Sequence, residues 1–206
     1  IRISTVRVGA EPGLIVTHAE SDMAAVLNEG SSSVTVVHAR AIGQDDVAFT
    51  VDVTEHANRL ALTPDGAAGF AWYDNRLAQP GDRPGSLTEV TAFMTAEDDG
   101  RTFQLSVGVN VRDVQFSLDG SRAYVLSDDG VSELGLDSLE ADRFVPPVRI
   151  AERGENIPLG EDREILIAEA NDLAVVRIGD RESLRMVDLV SEEVRDLGLP
   201  AVPTDV

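Results

Sequence analysis

The feature that most constrains the fold of this chain is an internal repeat. Two segments, beginning at Thr63 and Ser117, share the pattern S/T-x-D-G followed by a small residue and an apolar run. Each follows a short stretch of alternating apolar residues, and degraded copies begin at Thr17 and Ala168. Aligned on the small residue after the turn, the copies lie 45, 54 and 51 residues apart. A period of about 40–50 residues is typical of four-stranded units that stack as repeats.

Each copy predicts four short strands joined by tight turns. Asp119-Gly120 and Asp128-Asp129-Gly130 are turn signals, because glycine adopts positive φ at little cost and aspartate bonds its own backbone. The proline pair at 146–147 cannot donate to a ladder, so we expect the strand over 143–150 at a sheet edge. No sustained period of 3.6 residues appears, so little helix is expected beyond one turn near 138–142. The predicted strands cover 14–17, 24–27, 34–39 and 47–53; 60–63, 69–73, 87–93 and 102–107; 111–117, 123–126, 131–136 and 143–150; and 165–168, 173–178, 184–189 and 193–199.

The pattern φ-x-φ-S/T-x-D-G-x-x-A/G-φ-φ-φ, followed by L-x-L-D, resembles the repeat of YVTN/lactonase-like and WD40-like β-propellers. The resemblance implies an all-β propeller of about four blades, each with four antiparallel strands. Residues 1–8 resemble a fourth strand and residues 204–206 align with the opening of a first strand, so we expect a segment of a seven- or eight-bladed propeller. The alternative is a complete ring of four or five blades. We expect a single array, with blades at about 9–53, 54–107, 108–150 and 151–199, and with 1–8 and 200–206 in neighbouring blades of the parent chain.

The charge of the chain restricts its partners. The sequence has 37 acidic and 17 basic residues, a net charge of −20, and every basic residue is arginine. Nucleic acids and anionic membranes would be repelled by this field, so we expect no nucleic-acid partner. The acidity indicates either a cationic partner or simply a solvated surface. No apolar stretch is long enough to predict a membrane span. The absence of cysteine fits a secreted bacterial protein and equally an intracellular one. Of the two, we expect a periplasmic or extracellular location.

The sequence contains no recognisable metal or nucleophile motif. His18, His38 and His56 are 20 and 18 residues apart, which matches no local zinc pattern. We expect no cofactor. The alternative is calcium, because the acidic turns at 98–100 and 128–130 offer the carboxylate and carbonyl oxygens that this ion binds. No G-x-S-x-G elbow is present, and we expect no catalytic residues.

The longest loops indicate where a partner would bind. In a propeller, the connections over 74–86 and 151–163 would emerge on one face, and loops of this length are often functional. Trp72-Tyr73, the only aromatic pair, leads into the first loop, and aromatic residues are enriched at binding sites. Arginine forms planar, multidentate hydrogen bonds. The candidate contacts are therefore Trp72, Tyr73, Arg76, Arg83 and Arg153.

Two further candidates come from the predicted first strands, which would line the propeller channel. Arg112 and Asp113 are adjacent there, and we interpret them as an ion-paired channel site. The chain is most simply a non-catalytic binding or scaffold module that presents its loop-rich face to a protein or carbohydrate. The resemblance leaves two alternatives open, a lactonase-like hydrolase with its site at the channel mouth and a purely structural blade array within a larger secreted protein.

Overall fold

The structure is a computed structural model, and it describes residues 5–18, 20–39, 46–78, 84–97, 99–140, 148–149, 163–168, 172–191 and 193–204. Its strands form four separate four-stranded antiparallel sheets, in each of which the strands follow one another in chain order. The predicted all-β class and the four-by-four strand count are confirmed. In the described part of the chain the helices comprise three or four residues each, and none could cross a membrane.

The strand bounds follow the predicted repeat closely. Sheet 1 contains β1 (Pro12–His18), β2 (Met23–Asn28), β3 (Ser33–His38) and β4 (Val47–Asp52). Sheet 2 contains β5 (Arg59–Leu62), β6 (Ala68–Trp72), β7 (Glu89–Met94) and β8 (Thr102–Ser106). Sheet 3 contains β9 (Asp113–Phe116), β10 (Arg122–Ser127), β11 (Gly130–Gly135) and β12 (Val148–Arg149). Sheet 4 contains β13 (Arg163–Ala168), β14 (Leu173–Ile178), β15 (Ser183–Asp188) and β16 (Val194–Gly198).

Three expectations about local structure have different outcomes. The helical turn expected near 138–142 is present as α1 (Asp137–Glu140). The strand expected over 1–8 is not found at residues 5–8, which carry no regular structure, while residues 1–4 lie outside the described ranges. The strand expected over 143–150 is described only as β12, which pairs with β11 at the edge of sheet 3.

The chain divides into two compact units, and the first, residues 1–105, contains sheets 1 and 2. The first strands of these sheets, β1 and β5, are neighbours. Alternate residues of sheet 1, including Ala25, Leu27 and Val36, form one apolar core with Leu60 and Phe93 of sheet 2. Burial of such side chains contributes about 1.5–3 kcal/mol each, so the unit is held together by one face of each sheet.

The second unit, residues 106–206, repeats this arrangement with sheets 3 and 4. Its first strands, β9 and β13, are also neighbours. Tyr124 and Leu126 of sheet 3 pack with Ile165, Val176 and Val187 of sheet 4. In both units, therefore, one sheet packs face to face on the next with the first strands side by side.

The Asp-Gly turns that define the repeat are held by their own side chains. The Thr63 hydroxyl donates to Asp65 Oδ1 at 2.6 Å, and the Ser117 hydroxyl donates to Asp119 Oδ1 at 2.7 Å. The next glycines, Gly66 and Gly120, have φ of 72° and 70°, in the region where side chains are disfavoured. The residues of the S/T-x-D-G pattern thus serve to fix the backbone conformation of the turn.

The histidines join sheets 1 and 2 within the first unit. His18 Nε2 lies 2.7 Å from the carbonyl oxygen of Pro64, and His38 Nε2 lies 2.7 Å from that of Thr95. In each pair the ring nitrogen is the donor, because a carbonyl oxygen can only accept. His56 has a positive φ of 57° and its backbone N–H donates to the Ser32 hydroxyl.

Candidate functional site

Two buried carboxylates occupy the same position of the repeat. Asp74 follows β6 and Asp128 follows β10, and they are separated by the same 54 residues as Gly69 and Ala123. Both aspartates are buried. A buried carboxylate is costly unless it is paired and hydrogen-bonded, so each one requires an organised set of donors around it.

Asp74 is fully buried and binds the loop that follows it. The guanidinium of Arg76 donates to both carboxylate oxygens, with Nε 3.0 Å from Oδ1 and the terminal nitrogen 2.8 Å from Oδ2. The Arg76 backbone N–H also donates to Oδ1, which caps a 3₁₀ turn over Asn75–Leu77. The carboxylate therefore fixes the first turn of the long loop.

The backbone of Asp74 is fastened to the start of β5. Its N–H donates to Asn58 Oδ1 at 2.7 Å, and its carbonyl accepts from Asn58 Nδ2 at 3.0 Å. Arg59 Nε lies 3.6 Å from Asp74 Oδ2. Asn58 thus joins the end of the second strand to the start of the first, and the loop after β6 leaves a rigid base.

Asp128 has a matching set of donors in the second unit. Arg112 donates through Nε to Oδ1 at 3.0 Å and through a terminal nitrogen to Oδ2 at 3.2 Å. Asn110 Nδ2 donates to Oδ2 at 2.6 Å. Arg112 takes the repeat position of Asn58, 54 residues earlier. The two units therefore use different side chains, one neutral and one charged, to fasten the same two strand ends.

The structure describes both candidates from the predicted first strands. We expected Arg112 and Asp113 to form an ion-paired channel site, whereas the Arg112 side chain is fully buried and pairs with Asp128. Asp113 is half-buried and accepts from the Val114 N–H at 2.8 Å and from the Gln115 side chain at 3.1 Å. Sequence reasoning treated Asp128 only as part of a turn. The shared spacing of Asp74 and Asp128 is the signal that could have identified both.

The structure places both residues of the aromatic pair in the interior. Trp72 and Tyr73 are both buried. A Cβ on Gly85 would lie 2.6 Å from Tyr73 Cγ, so the far end of the loop lies directly on the tyrosine ring. Arg83 and Arg153 lie outside the described residues.

Among the residues that the structure describes near Asp74, Leu77 and Arg59 have exposed side chains. Leu77, at the end of the 3₁₀ turn, is 42% exposed. The Arg59 side chain is exposed to the same fraction, whereas that of Arg76 is only 17% exposed. The surface that this part of the first unit offers to a partner is therefore an apolar tip and a guanidinium, both supported by the buried carboxylate.

Carboxylates elsewhere also accept hydrogen bonds from nearby donors. Hydrogen bonds from the Arg101 side chain hold the pKa of Asp99 below its usual value. Asp98, the other acid of the proposed calcium turn, is outside the described residues. Within the ranges that the structure describes, no three acidic or histidine side chains come close enough to hold a metal ion.

Comparisons with known proteins bear on the fold. No protein-family model and no curated protein matches the sequence. Apo AztD from Citrobacter koseri matches with a TM-score of 0.60 over 88% of this chain and 45% of that one, at 10% identity. The Cps50 (Swd1) β-propeller domain from "Myceliophteria_thermophila" matches with a TM-score of 0.55 over 86% and 57%, at 8% identity.

A third match bears on the lactonase resemblance. The "putative 6-phosphogluconolactonase" of Bacteroides uniformis has a TM-score of 0.54 over 93% of this chain and 55% of that one, at 12% identity. The chain has a β-propeller fold. The resemblance to lactonase-like and WD40-like propellers is confirmed at the level of the fold. Identities this low establish nothing beyond the fold, and the chain spans about half the length of each of these propellers.

Proposed function

We propose that this propeller segment is a non-catalytic module that binds a partner through the loop after β6. The observation that supports this most directly is the network around Asp74, which fixes the first turn of this loop, Asn75–Leu77, before any ligand arrives. A pre-ordered loop loses less conformational entropy on binding. The same carboxylate caps the turn that carries the exposed Leu77 and lies 3.6 Å from Nε of the half-exposed Arg59.

The chemistry of the exposed groups suggests the class of partner. Arg59 can donate two parallel hydrogen bonds to a carboxylate. Leu77, in the turn that Asp74 caps, provides an exposed apolar contact. A sugar acid combines a carboxylate with the apolar face of a pyranose ring. We therefore assign an acidic carbohydrate as the partner, encountered in the periplasm or the extracellular space. The net charge of −20 opposes its approach at long range, but physiological salt limits that effect to about 8 Å.

Calorimetric titration with trigalacturonic acid tests this assignment. We expect saturable binding by the chain, and none to the fully methyl-esterified trisaccharide, because esterification removes the charge and keeps the ring. Arg59→Gln should weaken binding at least tenfold, which corresponds to about 1.4 kcal/mol. Arg122→Gln is the matched control, since Arg122 is also a half-exposed strand arginine but lies in the second unit.

Two results would contradict the proposal. Equal affinity of the acid and its ester would show that the carboxylate is not recognised. Hydrolysis of a lactone or an ester that disappears in Asp113→Asn would instead assign the lactonase-like activity, with Asp113 in the role of a catalytic carboxylate.

A further inference from the structure

The second unit contains a cavity of about 280 Å³ between sheets 3 and 4. The residues that line it come from β10 and from the turns after β9, β13 and β15, and they include Leu118, Asp119, Arg122, Tyr124, Asp172 and Leu189. This volume is just below the range of roughly 300–1,000 Å³ for small-molecule sites. The cavity therefore suits one long side chain better than a complete cofactor.

The first unit fills the corresponding space with a histidine. His38 is the cross-strand partner of the first residue of β2, and Gly135 is the partner of the first residue of β10, so the two take the same repeat position. His38 Nε2 lies 2.7 Å from the carbonyl oxygen of Thr95 in the neighbouring sheet. A Cβ on Gly135 would meet nothing within 4 Å. Residue 135 thus lacks the side chain that spans the two sheets in the first unit.

Two carboxylates line the cavity, one from each sheet. The hydrogen bonds that Asp119 accepts from described residues, Ser117 and Ser121, all go to Oδ1, and an ionised carboxylate can accept on both oxygens. Asp172 is exposed. Its backbone carbonyl accepts from the Leu189 N–H at 2.8 Å, which fixes the turn that carries it. Both carboxylates are therefore held on rigid turns and can accept from a ligand.

The one arginine in the lining is balanced by groups of its own sheet. Arg122 Nε lies 3.6 Å from Glu133 Oε1, and a hydrogen bond to Tyr124 raises the pKa of Arg122. With Asp119 and Asp172, three carboxylates thus surround one guanidinium. The excess of negative charge favours a cationic ligand.

Two highly exposed apolar residues lie beside these charges. Leu118, in the lining, is 86% exposed, and Val190, next to the lining residue Leu189, is 76% exposed. Exposed apolar surface rimmed by polar groups is characteristic of interaction sites. The surroundings of the cavity therefore suit a cation that has apolar groups on either side of it.

We propose that the cavity binds a basic side chain of an extended peptide, with its cation between the carboxylates of Asp119 and Asp172. The apolar residues on either side of this basic residue contact Leu118 and Val190. The net charge of −20 attracts such a peptide from a distance. The site lies in the second unit and takes a cation, so it does not depend on the carbohydrate site proposed around Arg59.

Titration of the chain with the peptide acetyl-Leu-Lys-Leu-amide, followed by calorimetry, tests this proposal. We expect saturable binding that weakens as NaCl is added. The same peptide with norleucine in place of lysine should not bind, because it keeps the apolar stem and lacks the charge. Asp119→Asn and Asp172→Asn should each weaken binding roughly tenfold, because each removes a charged acceptor. Asparagine keeps an oxygen for the turn bonds of Asp119 and tolerates the left-handed backbone of Asp172.

Asp65→Asn is the matched control. Asp65 takes the position of Asp119 in the other repeat turn, so this variant changes the net charge equally and should bind normally. Gly135→His should weaken binding, because a histidine there can span the sheets as His38 does. Equal affinity for the two peptides, or equal losses in Asp65→Asn and Asp119→Asn, would overturn the proposal and indicate attraction to the acidic surface as a whole. Circular dichroism of each variant checks the fold, and the exposed position of Asp172 keeps the test valid if Asp119→Asn is unstable.

Discussion

Gly69 shows how the residue type at one position of the repeat is restricted by the side chain across from it on the next strand. A Cβ at this position would overlap Cζ of Phe93, its cross-strand partner in β7. We expect Gly69→Ala to lower the free energy of unfolding by about 1–3 kcal/mol through overpacking. Urea denaturation measures this. Gly198→Ala is the control, because a Cβ there meets nothing within 4 Å. Adding Phe93→Leu to Gly69→Ala should recover part of the loss, and a double variant no better than the single one would refute the steric explanation.

Protonation of Asp119, in the repeat turn, makes the stability of the fold depend on pH. Hydrogen bonds from the Ser121 backbone and from the Ser117 and Ser121 hydroxyls lower the pKa of Asp119 from 3.8 to about 2. A carboxyl whose pKa is lower in the folded state stabilises the fold above its unfolded pKa, and this contribution is lost as pH falls through about 4 to about 2. We expect the melting temperature of Asp119→Asn to depend less steeply on pH over this interval than that of the wild type. Direct titration of Asp119 by NMR with a midpoint near 3.8 would contradict the prediction.

At the scale of residues, the sequence predicts the turns better than the ion pairs. Positive φ at Gly66 and Gly120 follows from the Asp-Gly pattern, because few other residues adopt that conformation cheaply. The pairing of Arg112 with Asp128 joins residues 16 apart through two strands. Local spacing contains no signal for it, and only the comparison of two repeat copies identifies the position.

At the scale of elements, the first turn of the loop after β6 depends on one ion pair. Arg76→Ala leaves the fully buried Asp74 without its bidentate partner, and we expect a loss of about 3 kcal/mol, the low end of the range for buried pairs, because Arg76 is 17% exposed. Arg185→Ala is the matched control. Its partner Asp196 is 51% exposed, whereas Asp74 is fully buried, and pairs with an exposed carboxylate contribute about 0–1 kcal/mol. Equal losses in the two variants would show that the burial of Asp74 does not matter.

Strands could be predicted from the sequence more fully than loops. Alternating apolar residues and Asp-Gly turns mark β9 to β11 within one or two residues of their observed bounds. The burial of Tyr73 could not be predicted, because it depends on where the loop folds back. Gly85, twelve residues after Tyr73, lies on the tyrosine ring, and no local pattern encodes that contact.

At the scale of the whole molecule, the net charge of −20 makes stability depend on ionic strength. Self-repulsion is stronger in the compact state than in the expanded one, and salt screens it. We expect the melting temperature to rise by about 2–4 °C between low and moderate NaCl, equivalent to roughly 1 kcal/mol. Differential scanning fluorimetry measures this. Choline chloride at equal ionic strength should give the same rise, whereas a larger rise in CaCl₂ at equal ionic strength would reveal specific binding of calcium.

The fit of Gly69 against Phe93 also affects which strands of the four similar copies pair with one another while the chain folds. The other copies place Ala24 opposite Val37, Ala123 opposite Leu134 and Ala174 opposite Val187. In its observed position, the ring of Phe93 leaves no room for a Cβ at residue 69. We therefore expect β7 to pair with β6 in preference to the second strand of any other copy. A repeat protein is prone to exchange strands between its copies. Here the absence of one methyl group at Gly69 makes the pairing of β6 with β7 specific to the second copy.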